Sequence, residues 1–292
     1  MKEVSLYTEK ERGASCPNRL FVAKKPMFLG SNALLSKIKR RYGVKKAGFS
    51  GTLDPFACGV LIIAFGQYTK LFRFLKKSPK RYRATLWLGA QSDTLDIESI
   101  QSIEALSAMD EERVASAVTS FEGTFRYTPP RFSAKRVEGR RAYELARSGK
   151  RVALADTVST IHAIRFLHYR HPFVTFEADV SEGTYIRSLG QAIAQKLGCS
   201  GALSYLERIR EGAFSYENEK ALNPLEYLSP PENRYLGDPE NLLLGRKIYK
   251  SDFENRMPGI YHTIFDKYFA IIEIDDGDRV AYLLNKVELC SY

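Results

Sequence analysis

Cysteine and histidine are scarce in this 292-residue chain, which has four of each. Cys16, Cys58, Cys199 and Cys290 lie too far apart in sequence for a disulfide framework, and no two have metal-ligand spacing, so reduced thiols are expected. His162, His168, His171 and His262 have neither a nearby cysteine nor a matching carboxylate pattern. No metal is therefore expected. Long apolar runs are missing too. The best, Val60 to Phe65, is six residues, far short of the roughly 20 that span a bilayer, and has the length of a buried strand. The N-terminus is polar and has no signal-peptide core, so a cytoplasmic protein without a membrane partner is expected. With 44% hydrophobic and 27% charged residues, collagen-like, disulfide-scaffold and wholly disordered classes are excluded.

Charge of one sign is in excess. Lys plus Arg number 44 against 34 Asp plus Glu, for a formal +10, the balance of a polyanion binder. Residues 1–237 carry 37 basic and 24 acidic side chains, whereas 238–292 carry 7 and 10. The tail is therefore not the main electrostatic grip. The basic residues fall in three clusters: Lys37 to Lys46, Lys70 to Arg83, and Arg131 to Arg151. Any one cluster reads first as a solvated face. Three together, interleaved with aromatics taken as exposed (Tyr42, Tyr68, Phe72 and Tyr143), point to a nucleic acid.

Both hydrophobic periods are present. Ser31-Asn32, then Leu34, Leu35 and Ile38, closed by Gly43, predict a capped helix. Strands are expected at 60–66, 81–89, 151–169 and 173–180, and helices at 110–120 and 139–148. Ile186, Leu189, Ile193 and Leu197 share one face of a helix that stops at Gly198, which puts Arg187 in its first turn. Pro224, Pro230, Pro231 and Gly237 mark a breaker-rich stretch. The expected organisation is a catalytic unit over 1–230 and a small unit over 231–292. The mixed order of helices and strands predicts an α+β fold.

The densest chemistry is Gly51-Thr52-Leu53-Asp54-Pro55 followed by Gly59-Val60-Leu61. An Asp-Pro turn just ahead of an apolar strand holds one carboxylate at a rim, although such a carboxylate commonly does no more than accept backbone N–H bonds. These residues resemble the signature of the TruB-type tRNA pseudouridine synthases. Further blocks agree in order: Lys80-Arg81-Tyr82 with Leu88-Gly89, Ser92 to Asp96, Pro129 to Lys135 with Gly139 to Gly149, and Ser181 to Arg187. The resemblance covers about residues 20 to 215. It implies a pseudouridine synthase fold of mixed, mostly antiparallel sheet, with a reduced, β-rich PUA-like tail. It also implies conversion of a T-loop uridine of tRNA, expected to be uridine 55, to pseudouridine, with no cofactor needed, no guide RNA and a monomeric protein.

The same resemblance assigns Asp54 as the essential carboxylate, Arg187 as its partner and Tyr82 as the ring that stacks on the flipped base. It leaves open whether Asp54 adds to the base or acts at the ribose. Gly51, Thr52, Phe49, Lys80, Tyr185 and Ile186 would line or support the pocket. Lys76, Lys77, Arg131, Lys135, Arg140 and Arg141 are expected along the RNA backbone. The physical requirement is that desolvation by a bound base raises a carboxylate pKa, so a fixed cation must oppose it. Arg187 suits that task, because a cation in a helix's first turn is unfavourably placed without an anionic partner. Three departures from the family pattern stand out: Phe49 in place of a usual histidine, Glu182 in place of a lysine and Glu207 in place of an arginine. They motivate an alternative, a tRNA-binding or tRNA-folding protein with a weakened or vestigial site. A guide-RNA-dependent relative is a third and weaker reading.

Overall fold

The structure, a computed structural model, describes residues 17–130, 132, 136, 137, 140, 141 and 155–290. Its frame is an eight-stranded sheet: β1 (Arg19–Lys25), β2 (Ala47–Ser50), β3 (Cys58–Phe65), β4 (Lys80–Leu88), β7 (Gly123–Tyr127), β10 (Thr157–Arg170), β11 (Phe173–Val180) and β12 (Gly201–Glu211). The strand order is β1-β3-β12-β4-β11-β10-β7, with β2 pairing β3 at one end. Every pairing is antiparallel except the short parallel contact of β12 with β3, where Glu207 faces Cys58 and Arg208 faces Gly59. Two small ladders lie outside this sheet, β5 (Ala90–Ser92) with β6 (Ile100–Ile103) and β8 (Arg136–Val137) with β9 (Arg140–Arg141). The α+β expectation holds.

The two ends of the sheet differ in how they are covered, and the sequence periods follow from that. In β4 the even residues from Lys80 to Leu88 are all buried while the odd ones are half-buried or exposed, the alternation of a one-sided strand. Its buried side meets helix α2 (Glu111–Thr119) and helix α3 (Ile186–Leu197) in one core with Leu86, Phe176, Val118 and Leu189. β3 is buried at all eight positions because both its faces are covered. Leu61 and Ile63 pack under helix α1 (Ser31–Tyr42), whereas Val60 and Ile62 join a core with Phe269, Ile271 and Val287 of the C-terminal sheet. That sheet is β13 (Gly259–Phe265), β14 (Tyr268–Ile274) and β15 (Val280–Glu288). Among the described residues no helix is long and apolar enough to cross a membrane.

Several local expectations are corrected. Gly30 rather than Ser31 is the N-cap of α1; Ser31 is the first helical residue, and its hydroxyl is used elsewhere. Tyr68 is fully buried, Tyr42 is half-buried with its hydroxyl bonded to Glu219, and Phe72 packs against the core, so none of the three is a free stacking surface. Tyr143 lies outside the described residues. Arg140 and Arg141 form a strand where a helix was expected, and the rest of 139–148 lies outside the described residues. Cys58 and Cys199 are free thiols, but Cys290 is disulfide-bonded, against the expectation.

Candidate active site

The loop between β2 and β3 carries Asp54, and buried side chains hold its backbone from beneath. Arg208 of β12 donates through Nη2 to the Gly51 carbonyl at 2.8 Å and through Nε to the Val60 carbonyl at 2.8 Å. The Ser31 hydroxyl accepts from the Leu53 N–H at 3.1 Å and donates to the Leu53 carbonyl at 3.0 Å. Lys25, at the end of β1, sends its ammonium to the carbonyls of Pro55 (3.1 Å), Pro26 (2.9 Å) and Leu29 (2.6 Å). The carbonyls of residues 51, 53 and 55 are thus each claimed by a buried donor. The Asp54 side chain is left to project, 36% exposed.

Two glycines of the motif are explained by close approach. Gly51 has φ +63°, and a Cβ there would lie 3.0 Å from Glu211 Oε1, 3.0 Å from Lys80 Nζ and 3.1 Å from Arg208 Nη1. At Gly59, with φ +105°, a Cβ would stand 2.2 Å from the Arg208 carbonyl oxygen. Beneath Gly51 lies a buried charge cluster: Glu211, fully buried, takes Lys80 at 3.1 Å and Arg208 at 3.1 Å. Lys80 is therefore a largely buried cation held from within by Glu211.

Arg187 is the hub of the site. Its Nε lies 3.0 Å from Asp54 Oδ2, an ion pair whose N–H is not aligned as a hydrogen bond. Nη1 donates to the Thr94 carbonyl at 2.8 Å and to Asp96 Oδ2 at 3.3 Å, and Nη2 donates to the Phe132 carbonyl at 2.9 Å. Four sequence blocks far apart in the chain meet at one guanidinium. Asp96 is fully buried and further tied by the Thr94 hydroxyl at 2.6 Å and the Glu98 N–H at 3.0 Å. The anionic partner that the first-turn position of Arg187 called for is thus two carboxylates, one exposed and one buried.

The surroundings of Asp54 have a net raising effect on its pKa. Burial pushes its pKa above the ordinary carboxylate value, Arg187 opposes this, Asp96 adds to it, and Lys25 opposes it in turn. Glu98 is also raised, by burial first and then by Asp96 and Asp54. Lys25 is lowered to about 8, because the cost of burying its ammonium outweighs the attraction of Cys58 and Asp54. A carboxylate that is reachable from solvent and backed by a fixed cation can, when ionised, act as a nucleophile or base toward a group entering from outside.

The remaining predicted residues divide. Tyr82 is 8% exposed and sits in the core with Leu53 and Ile186; its hydroxyl has no partner among the described residues. Tyr185 packs against that core and donates its N–H to the Tyr127 hydroxyl at 3.1 Å. Thr52 is exposed on the loop. Phe49 is half-buried against the cluster under α1. Lys77 is paired with Glu182 at 3.3 Å, and Lys76 donates to the Glu226 carbonyl at 3.3 Å. Arg140 and Arg141 are on β9, and Arg131 and Lys135 lie outside the described residues. Arg81 and Arg83, counted with the middle basic cluster, lie on the opposite face of β4 from Tyr82 and are bound to Asp179 (2.6 Å) and Glu177 (2.6 Å) of β11. Sequence reasoning missed Lys25, Ser31, Asp96, Arg208 and Glu211. Only Asp96 had a signal, its place in the acidic turn after β4.

Residues 39–186 match the model of the TruB family pseudouridylate synthase N-terminal domain. A tRNA pseudouridine synthase B from a Nitratiruptor species is 58% identical over 270 residues, covering 92% of this chain and 98% of that protein. One from Campylobacter jejuni is 50% identical over 273 residues, covering 94% and 100%. Among solved structures, a Cbf5-Nop10-Gar1 complex has a TM-score of 0.66 at 19% identity, covering 92% of this chain and 84% of that one. An H/ACA ribonucleoprotein bound to a substrate RNA containing 2'-deoxyuridine has a TM-score of 0.63 at 18% identity, over 93% and 85%. These two show the fold alone. By the matched domain and by relatives aligned over nearly its whole length, the chain belongs to the TruB family of pseudouridylate synthases.

Proposed function

We propose that this protein isomerises a uridine of tRNA to pseudouridine, at uridine 55 of the T-loop. The observation that carries the reading is the ion pair of Asp54 with the buried Arg187, inside the motif that the family shares. The reaction breaks the N1–C1′ bond and forms C5–C1′, with a proton lost from C5 and one gained at N1. No atom is added, and no redox partner is needed. Asp54 acts as an ion toward the base or the ribose. Arg187 keeps it ionised once a flipped base displaces water, and the fixed carbonyls of Gly51, Leu53 and Pro55 hold it at a defined height.

Tyr82 supplies an aromatic face to replace the stacking lost by the flipped base, worth about 1–3 kcal/mol. Phe49, Thr52, Tyr185 and Ile186 shape the pocket. Lys76, Lys77, Arg131, Lys135, Arg140 and Arg141 run along the T-arm backbone. Residues 1–230 form the catalytic unit and 231–292 a reduced PUA-like unit, and the protein works in the cytoplasm as a monomer without a guide RNA. The intact set of Asp54, Arg187 and Tyr82 favours activity over a vestigial site.

The test is to incubate the purified protein alone with an unmodified tRNA transcript and map pseudouridine chemically. Product at position 55 supports the reading. Tight binding without product would replace it with the tRNA-folding alternative.

A further inference from the structure

Glu182 stands in the turn between β11 and α3, five residues before Arg187, and its carboxylate reaches back to two lysines. Its Oε1 lies 3.3 Å from Lys77 Nζ and 3.9 Å from Lys80 Nζ. The exposures are unequal: the two lysine side chains are 15% and 7% exposed, the glutamate 54%. The carboxylate is the outer member of the cluster, and the ammonium groups sit behind it.

Both lysines are held from the inside. Lys80 belongs to β4 and keeps Glu211 at 3.1 Å whatever Glu182 does. The segment of Lys77 is pinned by backbone bonds from Lys76 N–H to the Tyr227 carbonyl (2.9 Å), Ala213 N–H to the Lys76 carbonyl (2.9 Å) and Gly212 N–H to the Pro79 carbonyl (2.9 Å). The Lys80 ammonium is also the group that crowds Gly51, three residues before Asp54, so the pair lies at the edge of the candidate site.

We propose that Lys77 and Lys80 form a phosphodiester subsite and that Glu182 occupies it in the free protein, as an internal stand-in that substrate RNA displaces. The proposal rests on the RNA-modifying reading and names a control on that same site. The pair opens to solvent on its glutamate side, where screening and the entropy of the glutamate side chain keep its contribution small, so the exchange of one anion for another is nearly even. The released carboxylate returns to water, and a phosphate oxygen takes its place between two preset ammonium groups. Binding at this point therefore exchanges one ion pair for another, and Lys77 adds little to net counterion release.

The test is Glu182→Gln, which removes the competitor and keeps the shape. Affinity for an unmodified tRNA transcript is measured across a salt series, with melting curves alongside. The variant is expected to bind about two- to fivefold tighter at low salt. Its plot of log affinity against log salt should steepen by about 0.7–0.9, the increment of one newly released phosphate contact. Adding Lys77→Gln to the variant should abolish both gains. Unchanged affinity and slope, or looser binding with or without a lowered melting temperature, would overturn the proposal and leave Glu182 as a brace of the turn. Wild-type protein that binds but forms no pseudouridine would sink the parent reading instead, so the two failures are distinguishable.

Discussion

Replacing Arg208 with methionine should damage the catalytic loop from below. Met matches the aliphatic stem of Arg but ends near the position of Nε, so the change removes the guanidinium with its charge and donors. It removes the bonds to the Gly51 and Val60 carbonyls and one partner of the fully buried Glu211. Breaking a buried ion pair by deleting one member costs about 3–5 kcal/mol. Lys80 stays 3.1 Å from Glu211, which places the expected loss at the lower end, about 3 kcal/mol. For a domain of this size that is a drop of about 6–12 °C in melting temperature. Thermal unfolding followed by circular dichroism reads it directly. Arg208→Lys should recover part of the loss, because it restores a charge but cannot reach both carbonyls. Pseudouridine formation assayed well below the melting point should also fall in the methionine variant, since the Gly51 carbonyl is no longer held. A drop in melting temperature under about 2 °C would mean that the cluster is compensated elsewhere and would refute this account of the loop.

Asp96→Asn removes a negative charge that raises the pKa of Asp54, so the acid-side inflection of kcat/KM, where a protonated Asp54 loses activity, should move to lower pH. The maximal rate should also fall, because Arg187 loses one of the two carboxylates that orient it; an inflection that moves to higher pH would contradict the charge argument. Arg81→Ala combined with Arg83→Ala should leave tRNA affinity and its salt slope unchanged, because both side chains are paired on the face of β4 away from Tyr82. A slope flattened by about 0.7–0.9 per arginine would place RNA on that face after all.

What could be read from the sequence followed from how each element is covered. The six-residue apolar run inside β3 and the alternation of β4 were legible because burial on two faces or one leaves a different period in the chain. The helix carrying Arg187 was legible from its apolar face and Gly198, and so was its need for an anion. The supports of the loop were not. Lys25, Arg208 and Glu211 are charged and buried, and each relies on at least one partner distant in sequence, the Pro55 carbonyl, the Val60 carbonyl and Lys80 respectively, which no local pattern records. Ser31 looked like a cap, yet its hydroxyl serves Leu53, 22 residues on. The middle basic cluster is not one surface, for a geometric reason: a strand sends successive side chains to opposite faces, so a linear count adds Arg81 and Arg83 on one face of β4 to Lys80 on the other.

The central claim is that Asp54 performs the chemistry while other groups hold the RNA. Asp54→Asn preserves the shape of the loop and removes the charge facing Arg187, and it can be measured for both pseudouridine formed and transcript bound. The account predicts that product disappears while affinity stays within about threefold of wild type. Turnover at about one-tenth of wild type or better would contradict it.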